Sequence, residues 1–245
     1  LFTDVRLLAA VGADFPDAER AKLERPGIDL SGLTVEPGQT SRWSGRYHYD
    51  MNTRDTISTE VGVNVNWHPT LPQGWEHSEA AFMAALEPAV QKSLLESLTA
   101  PRVTMVDTIR FYMDSALPQV FEAMGAADFV ALNESETREL GYSPGIARAG
   151  RNLLSRVKRG VLVKLGEFGA AYIGEDDYFV SPGYPLDEVV DPTGAGDAFA
   201  GAFLGSLDVA GEVTPSSIRR AVVYGSAVAS FQVEGFGPAR LLTLE

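Results

Sequence analysis

A chain of 245 residues, 45% hydrophobic and 22% charged, has the composition of a globular protein and the length to bury a sizeable core. Acidic side chains outnumber basic ones 33 to 20, and the net charge of −13 sets the surface against nucleic-acid backbones and anionic membranes. No apolar run approaches the ~20 residues of a membrane helix, and without cysteine there is no disulfide, thiolate metal site or thiol nucleophile.

In chain order, Asp4 to Val11 is an apolar run closed by Gly12-Ala13-Asp14 and reads as a buried strand. Asp17 to Arg25 has helical composition and stops at Pro26-Gly27. From Trp43 the period changes to two, with Tyr47 and Tyr49 on one face and Arg46, His48 and Asp50 on the other. After Met51-Asn52-Thr53 the alternation resumes through Ile57, Thr59, Val61, Val63 and Val65. This polar-tipped hairpin is too thin to stand alone, so it must pack on the body, a ligand or a second subunit.

Beyond Ala80 short apolar strands alternate with helices. The strands are expected at Val103 to Val106, Phe129 to Leu132 and Val161 to Leu165. The helices are expected at Pro88 to Leu98, Leu117 to Met124, Ile146 to Lys158, Gly196 to Leu207 and Ser216 to Phe231. Such alternation predicts a mostly parallel sheet with helices on both faces. Ligands of such sheets bind at the carboxyl ends of strands. The densest basic stretch, Arg148, Arg151, Arg156, Lys158 and Arg159, has the spacing of an exposed helix face rather than a phosphate-tracking groove. His48, His68 and His77 lack metal-ligand spacing.

The chemistry concentrates in Asp191-Pro192-Thr193-Gly194-Ala195-Gly196-Asp197-Ala198-Phe199, which follows the strand-like Glu188-Val189-Val190 and opens an apolar helix. Gly194, Ala195 and Gly196 carry no bulky side chain. Their N–H groups can point into open space at a helix N-terminus, a nest for a phosphoryl group. Asp197, on the first turn, cannot hold an anion. It can accept a proton from a hydroxyl that attacks one. A plainer reading is close helix packing with Asp197 as a cap. Phe199 in place of a third glycine rules out the dinucleotide-binding fingerprint, and no Walker A or protein-kinase motif is present.

The D-P-T-G-A-G-D-x-F string resembles the C-terminal signature of the ribokinase-like (PfkB-type) carbohydrate kinases, and further motifs extend the resemblance over most of the chain. Asn133-Glu134-Ser135-Glu136 resembles that family's N-x-x-E motif, and Lys164 to Ala170 its K-x-G-x-x-G-A turn, which lines the nucleotide site. Trp43 to Thr59 looks like the lid hairpin of a sugar-kinase subgroup, and Tyr224 to Phe231 like the helix that closes over the adenine.

The resemblance implies a three-layer α/β/α domain over residues 1–245 with a small β lid inserted at 43–65. It implies ATP-dependent transfer of a phosphoryl group to a sugar hydroxyl, with Asp197 as base and Gly194, Ala195 and Gly196 cradling the moving group. Asn133 and Glu136 would order Mg²⁺ through water, or else form a helix cap with a first-turn acid. Gly166 and Gly169 bracket a tight turn, and Lys164 either touches a phosphate or faces solvent. Asp191 and Thr193 would border a monovalent-cation site such as one for K⁺, although Asp191 could equally serve the turn. A nucleoside kinase of the same fold and a non-catalytic nucleotide- or sugar-binding regulator are the alternatives.

The expected partners are ATP and a small sugar or nucleoside, with a homodimer formed through the lid. Neither nucleic acid nor membrane is expected as a partner, and the expected location is cytoplasmic. The family's opening strand with its acidic ligand and its Gly-Gly motif have no counterpart here, so the chain is expected to start after both. Within these 245 residues there is no Gly-Gly pair.

Overall fold

The computed structural model describes residues 1–244. They form two compact units, one of Thr3–His77 and one from Ser78 onward that also includes Leu1 and Phe2. Among the described residues no helix is long and apolar enough to cross a membrane.

In the first unit, β1 (Arg6–Gly12) pairs in parallel with β2 (Asp29–Glu36), and α1 (Asp17–Glu24) lies between them in sequence. Asp14, just after β1, accepts hydrogen bonds from the Thr40 N–H at 2.7 Å and the Thr40 hydroxyl at 2.8 Å, and pairs with Arg42 at 2.6 Å. The Thr40 bonds, with help from Arg42, hold its carboxyl at about 2. These contacts fix the start of a two-stranded antiparallel ribbon, β3 (Arg42–Tyr47) with β4 (Arg54–Glu60). At its tip the Asp50 carboxylate accepts from the Asn52 and Thr53 N–H groups, and Met51 takes a left-handed φ of 51°.

The ribbon is shorter than its alternation suggests. Tyr49 lies beyond β3 and is fully exposed, and Val61, Val63 and Val65 do not continue β4. Gly62 turns to φ 57° and a 3-10 turn over Gly62–Asn66 takes over, so the period of two ends at Glu60.

The second unit is built on a six-stranded sheet in the order β10-β9-β8-β7-β6-β5. β5 (Ala80–Met83), β6 (Val103–Asp107), β7 (Phe129–Asn133) and β8 (Gly160–Lys164) run parallel, and β9 (Ala170–Gly174) and β10 (Tyr178–Ser181) add antiparallel strands at one side. Side chains alternate across the sheet as the pleat requires. Val106, Val130, Leu132, Val161 and Val163 face a core closed by α2 (Pro88–Glu96), α3 (Arg110–Ser115), α4 (Leu117–Ala126), α5 (Glu134–Leu140) and α6 (Ile146–Leu153). Val103, Met105, Phe129, Ala131 and Leu162 face a core closed by α7 (Ala195–Ala210) and α8 (Pro215–Gln232). This is the expected three-layer α/β/α arrangement, with a mixed sheet.

Three local expectations are corrected here. The helix expected from Ile146 to Lys158 ends at Leu153, and a 3-10 turn over Leu154–Arg156 leads into β8. The strand expected at Val161 to Leu165 begins and ends one residue earlier. Glu188 to Val190 is no strand. Its backbone bonds instead to the end of α8, the Val190 N–H donating to the Val233 carbonyl at 2.8 Å.

Candidate active site

Because β6, β7 and β8 are parallel, their carboxyl ends lie along one edge of the sheet, and each ends on a polar residue: Asp107, Asn133 and Lys164. After β7, Asn133 caps α5. Its Oδ1 accepts the Glu136 N–H at 2.9 Å while the Glu136 carboxylate accepts the Asn133 N–H at 2.8 Å, a reciprocal capping box. The capping reading of N-x-x-E is therefore realised in the geometry, and it leaves Glu136 7% exposed on the first turn of α5, within electrostatic reach of Lys164.

Lys164 does not face solvent. Its side chain is 19% exposed and its ammonium donates to Asp107 Oδ2 at 2.9 Å. Burial alone would favour the neutral amine, but the charges of Asp107, then Glu136 and Asp197, more than offset it and hold the ammonium above its ordinary range. The turn after Lys164 is tight, as its spacing implies. Gly166 and Gly169 have φ of 61° and 94°, and a Cβ on Gly169 would lie 2.1 Å from the Ser181 carbonyl oxygen.

Gly194 is the N-cap of α7, with φ 83°, and Asp197 stands on the first turn. The Ala195 N–H donates to the Pro192 carbonyl at 3.2 Å, so that amide is already engaged in the turn. Among the described residues the N–H groups of Gly194 and Gly196 have no acceptor. Gly196 lies against Lys164, since a Cβ there would stand 2.9 Å from its Nζ. The turn is pinned from behind by buried Gln232 of α8, whose Nε2 donates to the Thr193 carbonyl at 3.0 Å and the Gly237 carbonyl at 2.9 Å. Asp191 accepts the Thr193 N–H at 2.9 Å, the turn role expected as its alternative.

Asp197 reaches solvent on one side, yet its carboxyl is pushed above the usual carboxylate value of 3.8. The first cause is desolvation by the protein atoms packed around it, the second the negative charge of Asp107, and Lys164 pulls the other way. A carboxylate raised in this way is a better proton acceptor than a free one.

The predicted residues Lys164, Gly196 and Asp197 thus come together, with Glu136 within electrostatic reach of Lys164. Asp191 and Thr193 form the turn leading into α7, and Gly166 and Gly169 shape the turn beyond β8. Three residues were missed: Asp107, Gln91, whose Nε2 donates to the Asp107 carbonyl at 2.9 Å, and Gln232. Asp107 directly follows the expected strand Val103 to Val106, and the rule that ligands meet strand carboxyl ends was signal enough to find it. Nothing local to Gln91 or Gln232 marks them, because each bridges backbone carbonyls that only the fold brings together.

The family model described as pfkB family carbohydrate kinase matches residues 1–243. The chain is 30% identical over 206 residues to a cytidine kinase of Thermococcus kodakarensis, covering 82% of this chain and 72% of that one. It is 28% identical to an ATP-dependent ribose-1-phosphate kinase of Halopiger xanaduensis, covering 93% and 73% of the two chains.

Among solved structures, a nucleoside kinase of Methanocaldococcus jannaschii superposes with a TM-score of 0.75 at 22% identity, over 96% of this chain and 75% of the other. A fructokinase of Vibrio cholerae O395, bound to fructose, ADP and calcium, superposes with a TM-score of 0.79 at 20% identity, over 98% and 82%. These structural likenesses establish the fold, and the sequence matches establish the lineage: the chain belongs to the pfkB family of carbohydrate kinases.

Proposed function

We propose that this kinase moves the γ-phosphoryl group of ATP to a hydroxyl of a sugar, with Asp197 as the general base. The observation that carries the reading is the placement of a raised carboxylate on the first turn of α7, directly after the unpaired amides of Gly194 and Gly196. The acceptor hydroxyl gives its proton to Asp197 as its oxygen bonds to the γ-phosphorus, and the bond to the leaving ADP oxygen breaks. The Gly194 and Gly196 amides and the α7 dipole meet the charge on the moving group, and Lys164 adds a cation beside them. Positioning and electrostatics supply nearly all of the rate in this kind of transfer.

The family implies ATP and a divalent cation. Among the described residues no group of three or more His, Asp or Glu side chains could cage a metal. Buried Glu136 instead offers hard carboxylate oxygen, which suits Mg²⁺ held through its own waters and the substrate phosphates. Mg²⁺, when bound, would neutralise phosphate charge, with Glu136 holding its water shell and Asn133 holding Glu136. Asp191 and Thr193 are assigned to a monovalent-cation site, for which K⁺ dependence is the test. The segment 43–65, which contains the ribbon, is assigned as a lid and a dimer contact. Deleting Arg46 to Asp55 should then raise ATP hydrolysis relative to transfer, and an unchanged ratio would withdraw the lid.

A second reading keeps the same chemistry and takes a nucleoside as acceptor. The similarity to the cytidine kinase favours it. Coupled ADP release from the full-length protein with a panel of sugars and nucleosides separates the two. If no acceptor stimulates release while calorimetry shows nucleotide binding, the chain is a regulator and both readings fail.

A further inference from the structure

The Lys164–Asp107 pair is an unusual way to hold a sheet together. β6 and β8 are not neighbours, since β7 lies between them, so the 2.9 Å bond reaches across the end of β7. Both partners are largely buried, Asp107 at 7% exposure. A buried ion pair is a poor source of stability, because the desolvation of two charges consumes most of the Coulombic gain and apolar side chains often serve as well. The pair therefore calls for a reason other than cohesion.

Its surroundings supply one. Asp107 is held at both side chain and backbone: its Oδ1 accepts the Thr108 N–H at 2.6 Å, and its carbonyl accepts from Gln91 Nε2 at 2.9 Å. Gln91 is 2% exposed and also holds the Ala84 carbonyl at 2.8 Å, tying the ends of β5 and β6 together. Lys164, by contrast, is a point charge on a flexible stem with three rotatable donors. It lies within electrostatic reach of three carboxylates, Asp107, Glu136 and Asp197. A lysine in that position settles on whichever partner is best placed. Were it to settle on Asp197, it would occupy the oxygen that must receive the proton.

We propose that Asp107 is a positioning residue whose carboxylate anchors the Lys164 ammonium against Gly196, at the anion-binding turn, and keeps it from closing on the Asp197 carboxylate. The inference rests on the reading of Asp197 as the base. In this assignment Asp107 acts through Lys164 and not on nucleotide or acceptor. It divides the labour between a cation aimed at phosphate and a carboxylate left open to a proton.

The test is a double-mutant cycle in the full-length protein: Asp107→Asn, Lys164→Met and the two combined, with Asp197→Asn alongside. The readouts are kcat, ADP affinity by calorimetry and melting temperature, with rates taken where every variant is folded. Asp107→Asn should lower kcat by about tenfold or more, the scale of coupling inside one charge network, while ADP affinity stays within about threefold. Once Lys164 is methionine, the same Asp107→Asn change should cost nothing further in kcat.

An equal loss in both backgrounds, or an Asp107→Asn variant as fast as the wild type, overturns the proposal. If the unpaired lysine prevents Asp107→Asn from folding, comparison of Lys164→Met with the double variant decides, because neither carries an unpaired ammonium. Equal rates then support the proposal, and a slower double variant contradicts it. A slow Asp197→Asn enzyme beside a normal Asp107→Asn enzyme sinks this inference alone, whereas near-normal turnover of Asp197→Asn sinks the base assignment on which it rests.

Discussion

Two glycines two positions apart should answer differently to the same added methyl group. Gly194 sits at φ 83°, where a side chain costs about 1–2 kcal/mol, so Gly194→Ala should lower stability by about that much. Gly196 is helical, and what its Cβ would meet is the mobile tip of Lys164 at 2.9 Å. Gly196→Ala should leave the melting temperature almost unchanged but displace the ammonium and lower kcat. Chemical denaturation and steady-state rates on the pair check the contrast.

Asp197 carries a prediction of the opposite sign to its catalytic role. A carboxyl raised above 3.8 contributes stability that is present below 3.8 and lost as the pH rises through the raised value. At neutral pH the ionised side chain therefore weighs against the fold, and Asp197→Asn should melt slightly higher than the wild type. The gain is small because the side chain reaches solvent, and it should vanish below pH 3.8, where both side chains are neutral. A variant that melts lower at neutral pH would remove the desolvation argument. The residue string around Asp197 was legible because its whole mechanism lies within a few positions. The place of Asp107 at a strand end was legible too, but its pairing was not, because its partner is a lysine 57 positions away.

Caps and packed helix faces govern the elements. The reciprocal bonds of Asn133 and Glu136 start α5, so Asn133→Ala should cost about 1 kcal/mol of stability through the lost cap. Glu136→Gln keeps a side-chain oxygen for the Asn133 N–H and removes the charge, so it should spare stability and raise the Mg²⁺ concentration for half-maximal rate. An unchanged Mg²⁺ titration would leave Glu136 with capping alone. At the α7–α8 contact, a Cβ on Gly225 would stand 2.7 Å from the Phe199 ring, and Gly225→Ala should cost about 1–3 kcal/mol by overpacking.

Apart from the helix that stops at Leu153 instead of Lys158, the expected helices were read to within three residues of their ends, because packing and pattern agree there. The omissions have local causes. β5 is written Ala-Ala-Phe-Met, a run whose alanines and methionine suit a helix, and only its pairing with β6 makes it a strand. β2 is interrupted by Gly32, which is needed because a Cβ there would stand 2.8 Å from the Trp75 ring. β4 was carried too far because alternation persists through Val65 while the backbone turns at Gly62.

At the scale of the molecule, the parallel run β5 to β8 places Asp107, Asn133 and Lys164 at one edge, and α8 pins the turn that opens α7 against it. The fold class, the lineage and the position of Asp197 follow from sequence because each is written in contiguous pattern or motif. The acceptor is not, since its recognition depends on side chains gathered from distant segments, and the sugar and nucleoside readings share every residue described above. What both readings share is the proton transfer to Asp197. The most direct measurement is therefore the steady-state kcat of full-length Asp197→Asn against the wild type with its best acceptor, beside ADP affinity for both. The account predicts a fall of roughly 10²–10⁴ in kcat with ADP affinity nearly unchanged, and near-normal turnover by the asparagine variant would contradict it.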